Sequence, residues 1–115
     1  MGAVLRQKDK TGQEFVVAFA SRNCNAAERN YSAYNGESLE VVWAVQHFRH
    51  YLIGSSFRLL TDHAALHWMM TTSRLTGRLA RWSLILQEYD FTIQHTPRVE
   101  NVVADYCSRF PLASL

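Results

Sequence analysis

Two cysteines, Cys24 and Cys107, are too few for a disulfide framework and form no paired metal motif. The five histidines add no zinc-ligand spacing to them. No apolar run approaches the roughly 18 residues of a membrane span, and nothing after Met1 reads as a signal peptide. Met1-Gly2 fails as a myristoylation site, because position 6 is Arg6 where Ser or Thr is needed. No segment repeats, and none is of low complexity. Charged residues are only 19% and apolar residues 48%, which excludes wholesale disorder and supplies a core. A chain of 115 residues fits one domain, predicted here over 1–110 with 111–115 as a tail.

Lysine is also scarce. The basic residues are ten Arg and two Lys, Lys8 and Lys10, in a chain of net charge +2. Arg suits bidentate phosphate contacts, so the bias leans toward a polyanionic partner, although a solvated Arg-rich surface accounts for it equally.

Along the chain, Gly2–Gln7 and Glu14–Ala20 are apolar runs flanking a polar turn with Gly12, the pattern of a hairpin. Ser21–Asn30 is polar and loop-like. From Ser32 to Leu52 the pattern is helical, with Leu39, Val42, Trp43, Gln46, Phe48, Tyr51 and Leu52 on a broad face. Ser32 is the expected N-cap and Gly54 the stop; Gly36 weakens the first turns by about 1 kcal/mol relative to Ala. Ser56–Thr61 reads as a strand, Ala64–Met70 as a short helix and Arg74–Tyr89 as a longer one. Asp90–His95 alternates as a strand, and Val99–Phe110 is expected to be a final helix ending before Pro111. The order β-β-α-β-α-α-β-α indicates an α/β domain with a mixed sheet.

Ten carboxylates are few enough to weigh singly. Asp62 falls where a strand ends, the place where open α/β sheets bind ligands. Glu37 lies near the start of the long helix and Asp105 on the expected terminal helix. The three read either as one cluster, which would need a hard cation such as Mg²⁺ between the like charges, or as separate surface acids.

The runs Ala27-Glu28-Arg29-Asn30-Tyr31-Ser32, Glu37-Ser38-Leu39-Glu40-Val41-Val42-Trp43-Ala44 and Phe48-Arg49-His50-Tyr51-Leu52 resemble the ribonuclease H domain of gypsy-type retroelement Pol polyproteins. So do Phe57–Leu66 around Thr61-Asp62-His63, Gly77–Trp82, Gln87–Phe91, and Asn101–Asp105 with Ser108-Arg109. Gly2–Leu5 and Ala18–Arg22 fit the family's opening hairpin. The resemblance covers nearly the whole chain. It implies a mixed sheet flanked by helices and a metal-dependent endonuclease that cuts the RNA strand of RNA–DNA hybrids. It also implies a reverse transcriptase upstream in the polyprotein, no membrane association, and an intracellular location, cytoplasmic or nuclear.

By motif position the resemblance makes Glu37, Asp62 and Asp105 the second, third and fourth of four carboxylates around two Mg²⁺ ions, with Mn²⁺ as a substitute. Glu40 stands where the family has a small residue and is not assigned. One ion would activate water and the other stabilise the leaving 3′ oxygen, the two lying about 3.5–4 Å apart. The first carboxylate, on a strand preceding Gly2-Ala3-Val4-Leu5 in the family, is absent. Asp9 is no substitute, since roughly 20 Å of strand separates it from Ala3. That strand is central in the family, between those formed by Gly2–Gln7 and Phe57–Thr61. Its absence predicts an N-terminally incomplete domain whose inner edges face a gap or close in another register, with activity impaired. The alternative is a catalytically inactive remnant that binds nucleic acid or a polyprotein neighbour.

His95 lies near where the resemblance places a mobile catalytic histidine, but Arg98 replaces the expected Gly, so a plain loop histidine remains the other reading. His63 is expected to orient the strand end, because Mg²⁺ prefers oxygen. Arg74, Arg78 and Arg81 share one helix face, either a solvated face or a track along the phosphates of the hybrid. Trp43 and Trp82 are expected in the core.

Overall fold

The opening hairpin forms where the alternation puts it. In the computed structural model, which describes residues 1–9, 11–31, 33–62, 66, 77–97 and 102–107, β1 (Gly2–Lys8) pairs antiparallel with β2 (Glu14–Ser21). Asp9 closes the turn: its Oδ1 accepts from the Thr11 and Gln13 amides and the Thr11 hydroxyl, and Gly12 supplies the left-handed φ of 84°. A bulge at Val17 shifts the register between Leu5 and Arg6.

Ser21–Asn30 is not all loop. Asn25 and Glu28 form a reciprocal capping box that starts α1 (Ala26–Arg29), a spacing legible in the sequence. The long helix is α2 (Ala33–His47), followed after Phe48 by α3 (Arg49–Leu52) and the stop at Gly54, φ 78°. Its buried stripe runs through Val41, Val45, Phe48 and Leu52, at i, i+4, i+7 and i+11. Leu39 and Trp43 sit partly buried at its margin, and Gln46, expected on the apolar face, is exposed.

Next come β3 (Ser56–Thr61), α4 (Gly77–Leu86) and β4 (Asp90–His95), the two strands at their expected bounds. Trp82 and Leu86 are buried on α4, with Leu79 partly buried beside them. Of the short helix expected over Ala64–Met70 only Leu66 is described; it is helical and buried. The rest of that helix, the Ser32 cap, the start of the longer helix with Arg74 and Leu75, and the 111–115 tail lie outside the described residues.

The expectation for the last element is overturned. Residues 102–107, expected within a helix over Val99–Phe110, form the strand β5 (Val102–Cys107). The five-stranded sheet has the order β2-β1-β5-β3-β4, with β5 parallel to β1 and antiparallel to β3. The expected gap between β1 and β3 is therefore filled, and neither inner edge is left unpaired. A position between two open edges offers this segment backbone partners on both sides, which outweighs a local helical pattern.

One face of the sheet carries the core. Ala3 and Leu5, Phe57 and Leu59, Val102 and Ala104 point toward α2 and α4, meeting Val41, Val45, Phe48, Trp82 and Leu86. Trp82 belongs to this core and Trp43 packs against it, as expected. The opposite face carries Arg6, Glu14, Arg58, Leu60, Val103 and Asp105.

Candidate active site

β3 and β4 are parallel, so their carboxyl ends emerge side by side, with Thr61 opposite His95. The Thr96 amide donates to the Thr61 carbonyl at 2.9 Å and ties the two exits together. The next residue on the β3 side is Asp62. Its Oδ1 lies 3.4 Å from His95 Nε2, and both side chains are close to half exposed. A carboxylate and an imidazole thus share one open edge, the location at which parallel strands place ligand-binding groups.

Glu37 lies in the early turns of α2, whose other end leads through α3 into β3, and is half-buried.

Asp105 is elsewhere. On β5 it is the pairing partner of Arg6 on one side and of Arg58 on the other. Asp62 lies four positions beyond Arg58, which sets Asp105 roughly 13 Å along the sheet from Asp62. Its side chain is 2% exposed, and its Oδ2 accepts from Arg58 at 2.5 Å and Arg6 at 3.4 Å. Oδ1 accepts no hydrogen bond among the described residues. Glu14, across β1, reaches the same arginines, 3.3 Å from Arg6 and 3.7 Å from Arg58. A groove of about 400 Å³ opens beside this clamp, lined in part by Lys8, Arg58, Asp90 and Asp105, at the end of the sheet away from Asp62.

This arrangement does not fit a two-cation centre. Among the described residues no three His, Cys, Asp or Glu side chains stand close enough to hold a metal ion. The charge around Asp105 is already supplied by two guanidiniums. His63 lies outside the described residues. So does Arg74, leaving two of the three candidate phosphate contacts. Arg81 is exposed, whereas Arg78 stacks with its guanidinium carbon 3.9 Å from the Tyr31 ring centroid, next to Trp82. Sequence reasoning missed the arginine clamp, because its members are 99 and 47 residues apart in the chain. It also missed the Arg22–Glu28 pair, whose two bonds of 2.8 Å and the Asn25 amide hold the Glu28 carboxyl down to about 2.

No helix of the described residues is long and apolar enough to cross a membrane. Residues 1–89 match the family model described as an RNase H-like domain found in reverse transcriptase. The chain is 40% identical over 112 residues to the "Retrovirus-related Pol polyprotein from transposon 297" of Drosophila melanogaster, covering 97% of this chain and 10% of that protein. It is 35% identical to the transposon opus Pol polyprotein of the same organism, covering 96% of this chain and 11% of that protein. The "Transposon Tf2-3 polyprotein" of Schizosaccharomyces pombe is 37% identical, with 95% of this chain and 8% of that protein covered. The chain thus spans about a tenth of the length of the polyproteins it matches. On the match over residues 1–89 and the relatives that cover nearly all of it, this chain belongs to the RNase H-like domains of reverse transcriptase found in retrotransposon Pol polyproteins.

Proposed function

We propose that this chain is the ribonuclease H-type endonuclease domain of a retrotransposon reverse transcriptase, acting on the RNA strand of RNA–DNA hybrids. The observation that carries this reading is the Asp62–His95 pair, open to solvent at the carboxyl ends of two parallel strands. Hydrolysis of a phosphodiester needs a proton taken from water and another returned to the leaving oxygen. An imidazole held by a carboxylate at an exposed edge is suited to that exchange.

Glu37 and Asp62 are the residues we assign to a divalent cation, with Mg²⁺ and Mn²⁺ as candidates. Asp105, the third carboxylate by motif position, serves Arg6 and Arg58 in the arrangement described and is not within reach of that cation. The activity expected of this arrangement is accordingly weak. Arg81, and Arg78 presented on its aromatic bed, are assigned to hybrid phosphates, with Arg74 on the same sequence face. A second reading, a domain that binds hybrid without cutting it, is favoured by one observation: the burial of Asp105 between Arg6 and Arg58.

The test is cleavage of a labelled RNA–DNA hybrid by the 115-residue chain in Mg²⁺ or Mn²⁺, with Asp62→Asn beside it. The expected result is slow cleavage that falls by roughly 100-fold or more in the variant, the scale of a lost proton-handling group. Cleavage unchanged by Asp62→Asn rejects the assignment. Salt-dependent hybrid binding with no cleavage by either protein supports the second reading.

A further inference from the structure

The two edges of the sheet are finished differently. β4, at one edge, alternates Phe91 and Ile93, which pack against the core, with Asp90, Thr92 and Gln94, and closes on His95. That polar finish discourages a further strand. β2, at the other edge, has no charge, proline or glycine from Phe15 to Ala20, and no strand among the described residues pairs with its outer side. Phe15 is 44%, Val16 45% and Phe19 74% exposed, three of the five exposed large apolar side chains among the described residues. The register puts Val16 and Phe19 on the face of Arg6 and Val4, and Phe15 on the other face beside Gln7. An apolar edge of this kind, open on both faces, is a template for another strand.

The bulge at Val17 decides which strand fits. Met1 and Arg22 exchange backbone hydrogen bonds of 2.9 and 3.1 Å, and the Asp9 amide donates to the Gln13 carbonyl at 3.0 Å. By the alternation of an antiparallel ladder, Phe15, Ala18 and Ala20 then turn their amides and carbonyls toward β1. Glu14, Val16, Phe19 and Ser21 turn theirs outward, a set that is even-numbered before Val17 and odd-numbered after it. An antiparallel neighbour must set outward residues against outward residues. For a second copy of β2, only registers pairing even with odd numbers do so along the whole strand. The register centred on the bulge pairs Glu14 with Ser21 and Val16 with Phe19, each twice about a two-fold axis. Two exposed apolar residues then cover each other on one face, Phe15 meets Ala20 on the other, and no like charges are opposed.

We propose that β2 is a self-complementary docking edge: two copies of this chain pair β2 with β2, antiparallel, about a two-fold axis at Val17–Ala18, and join their sheets into one. The joined sheet ends in β4 at both rims, where the polar finish stops further addition, so the assembly closes at the dimer. This pairing stands apart from the function proposed above and survives its failure.

A single strand pair buries less than the roughly 800 Å² per partner of a standard interface, which sets the dimer at the weak end. Sedimentation of the 115-residue chain, under reducing conditions and from roughly 5 to 500 µM, should show the mean mass rising from monomer toward dimer. A mass that stays monomeric throughout overturns the proposal, and so does growth past the dimer. Phe19→Lys and Val16→Glu, both at exposed positions, are each expected to weaken association at least tenfold, because each sets a charge against an apolar partner. Mixed in equal amounts, the two variants should associate to within about threefold of the parent chain. The introduced carboxylate of one copy then meets the introduced ammonium of the other, while the retained Phe19 and Val16 form the second pair. Variants that melt like the parent yet stay monomeric when mixed, beside a parent that dimerises, overturn the β2 pairing. Variants that dimerise alone as the parent does overturn it equally.

Discussion

Asp62 and Asp105 stand roughly 13 Å apart along one sheet, and their surroundings are opposites. Asp62 ends a strand, is 45% exposed and faces an imidazole across a parallel pair. Asp105 sits inside a strand, is 2% exposed and is held by two arginines from flanking strands. A carboxylate at a strand end keeps water and spare lone pairs and so remains available for chemistry. One inside a sheet needs fixed cationic partners, and those partners occupy the oxygens that chemistry would use. The contrast shows that residue type and motif position nominate a site, while the neighbouring strands decide whether the group is free to serve it.

The sharpest way to break this comparison is to remove a clamp partner. Arg58→Ala should destabilise the fold by about 2–3 kcal/mol, less than the roughly 3–5 kcal/mol of a fully buried pair because Arg58 is 42% exposed. A melting temperature lower by about 10 °C is the expected readout. Asp62→Asn, by contrast, should leave stability within about 0.5 kcal/mol while it removes cleavage. If both substitutions destabilise equally, the two carboxylates do not differ as described.

Removing the buried charge should cost less than removing its partner. Asp105→Leu is expected to lower stability by about 1 kcal/mol, since it leaves Arg6 and Arg58 without Asp105 while both stay partly exposed and within reach of Glu14. A loss of more than about 2 kcal/mol in chemical denaturation would mean that the clamp stabilises the sheet outright.

Acid sharpens the comparison from a third carboxylate, Glu28. Its folded pKa is about 2, depressed first by Arg22 and then by the Asn25 amide, against an unfolded value of 4.5. A depressed carboxylate contributes stability that is fully present above pH 4.5 and is lost as pH falls through 4.5 toward 2. Glu28→Gln should therefore flatten that part of the stability-against-pH curve. An unchanged slope in thermal melts between pH 5 and pH 2 would remove Glu28 from the acid response. The smallest effect is expected at Arg81, where Arg81→Ala should lower the salt slope of hybrid binding by about 0.9 without changing the fold.

The hairpin, the strands Ser56–Thr61 and Asp90–His95 and the apolar stripe of α4 were legible because each depends on neighbours a few residues away, whereas on α2 the expected face missed Val41 and Val45. Asp62 was legible for the same reason: a strand that ends in Thr61-Asp62 identifies its own exit. Two local signals point elsewhere than the broad pattern. Asn25 and Glu28 spell a capping box inside the polar segment Ser21–Asn30, and Val45, not Gln46, occupies the apolar face of α2.

The sequence by itself determined the α/β class, the family and the nomination of Glu37, Asp62, His95 and Asp105, because periodicity, strand ends and motif order are properties of short stretches. The tertiary structure alone decided that residues 102–107 are a strand and that Asp105 meets Arg6 and Arg58, from 99 and 47 residues away, rather than Asp62. The physical reason is that backbone groups at two open strand edges must be paired, and the segment that pairs them takes its conformation and its side-chain partners from the slot it fills.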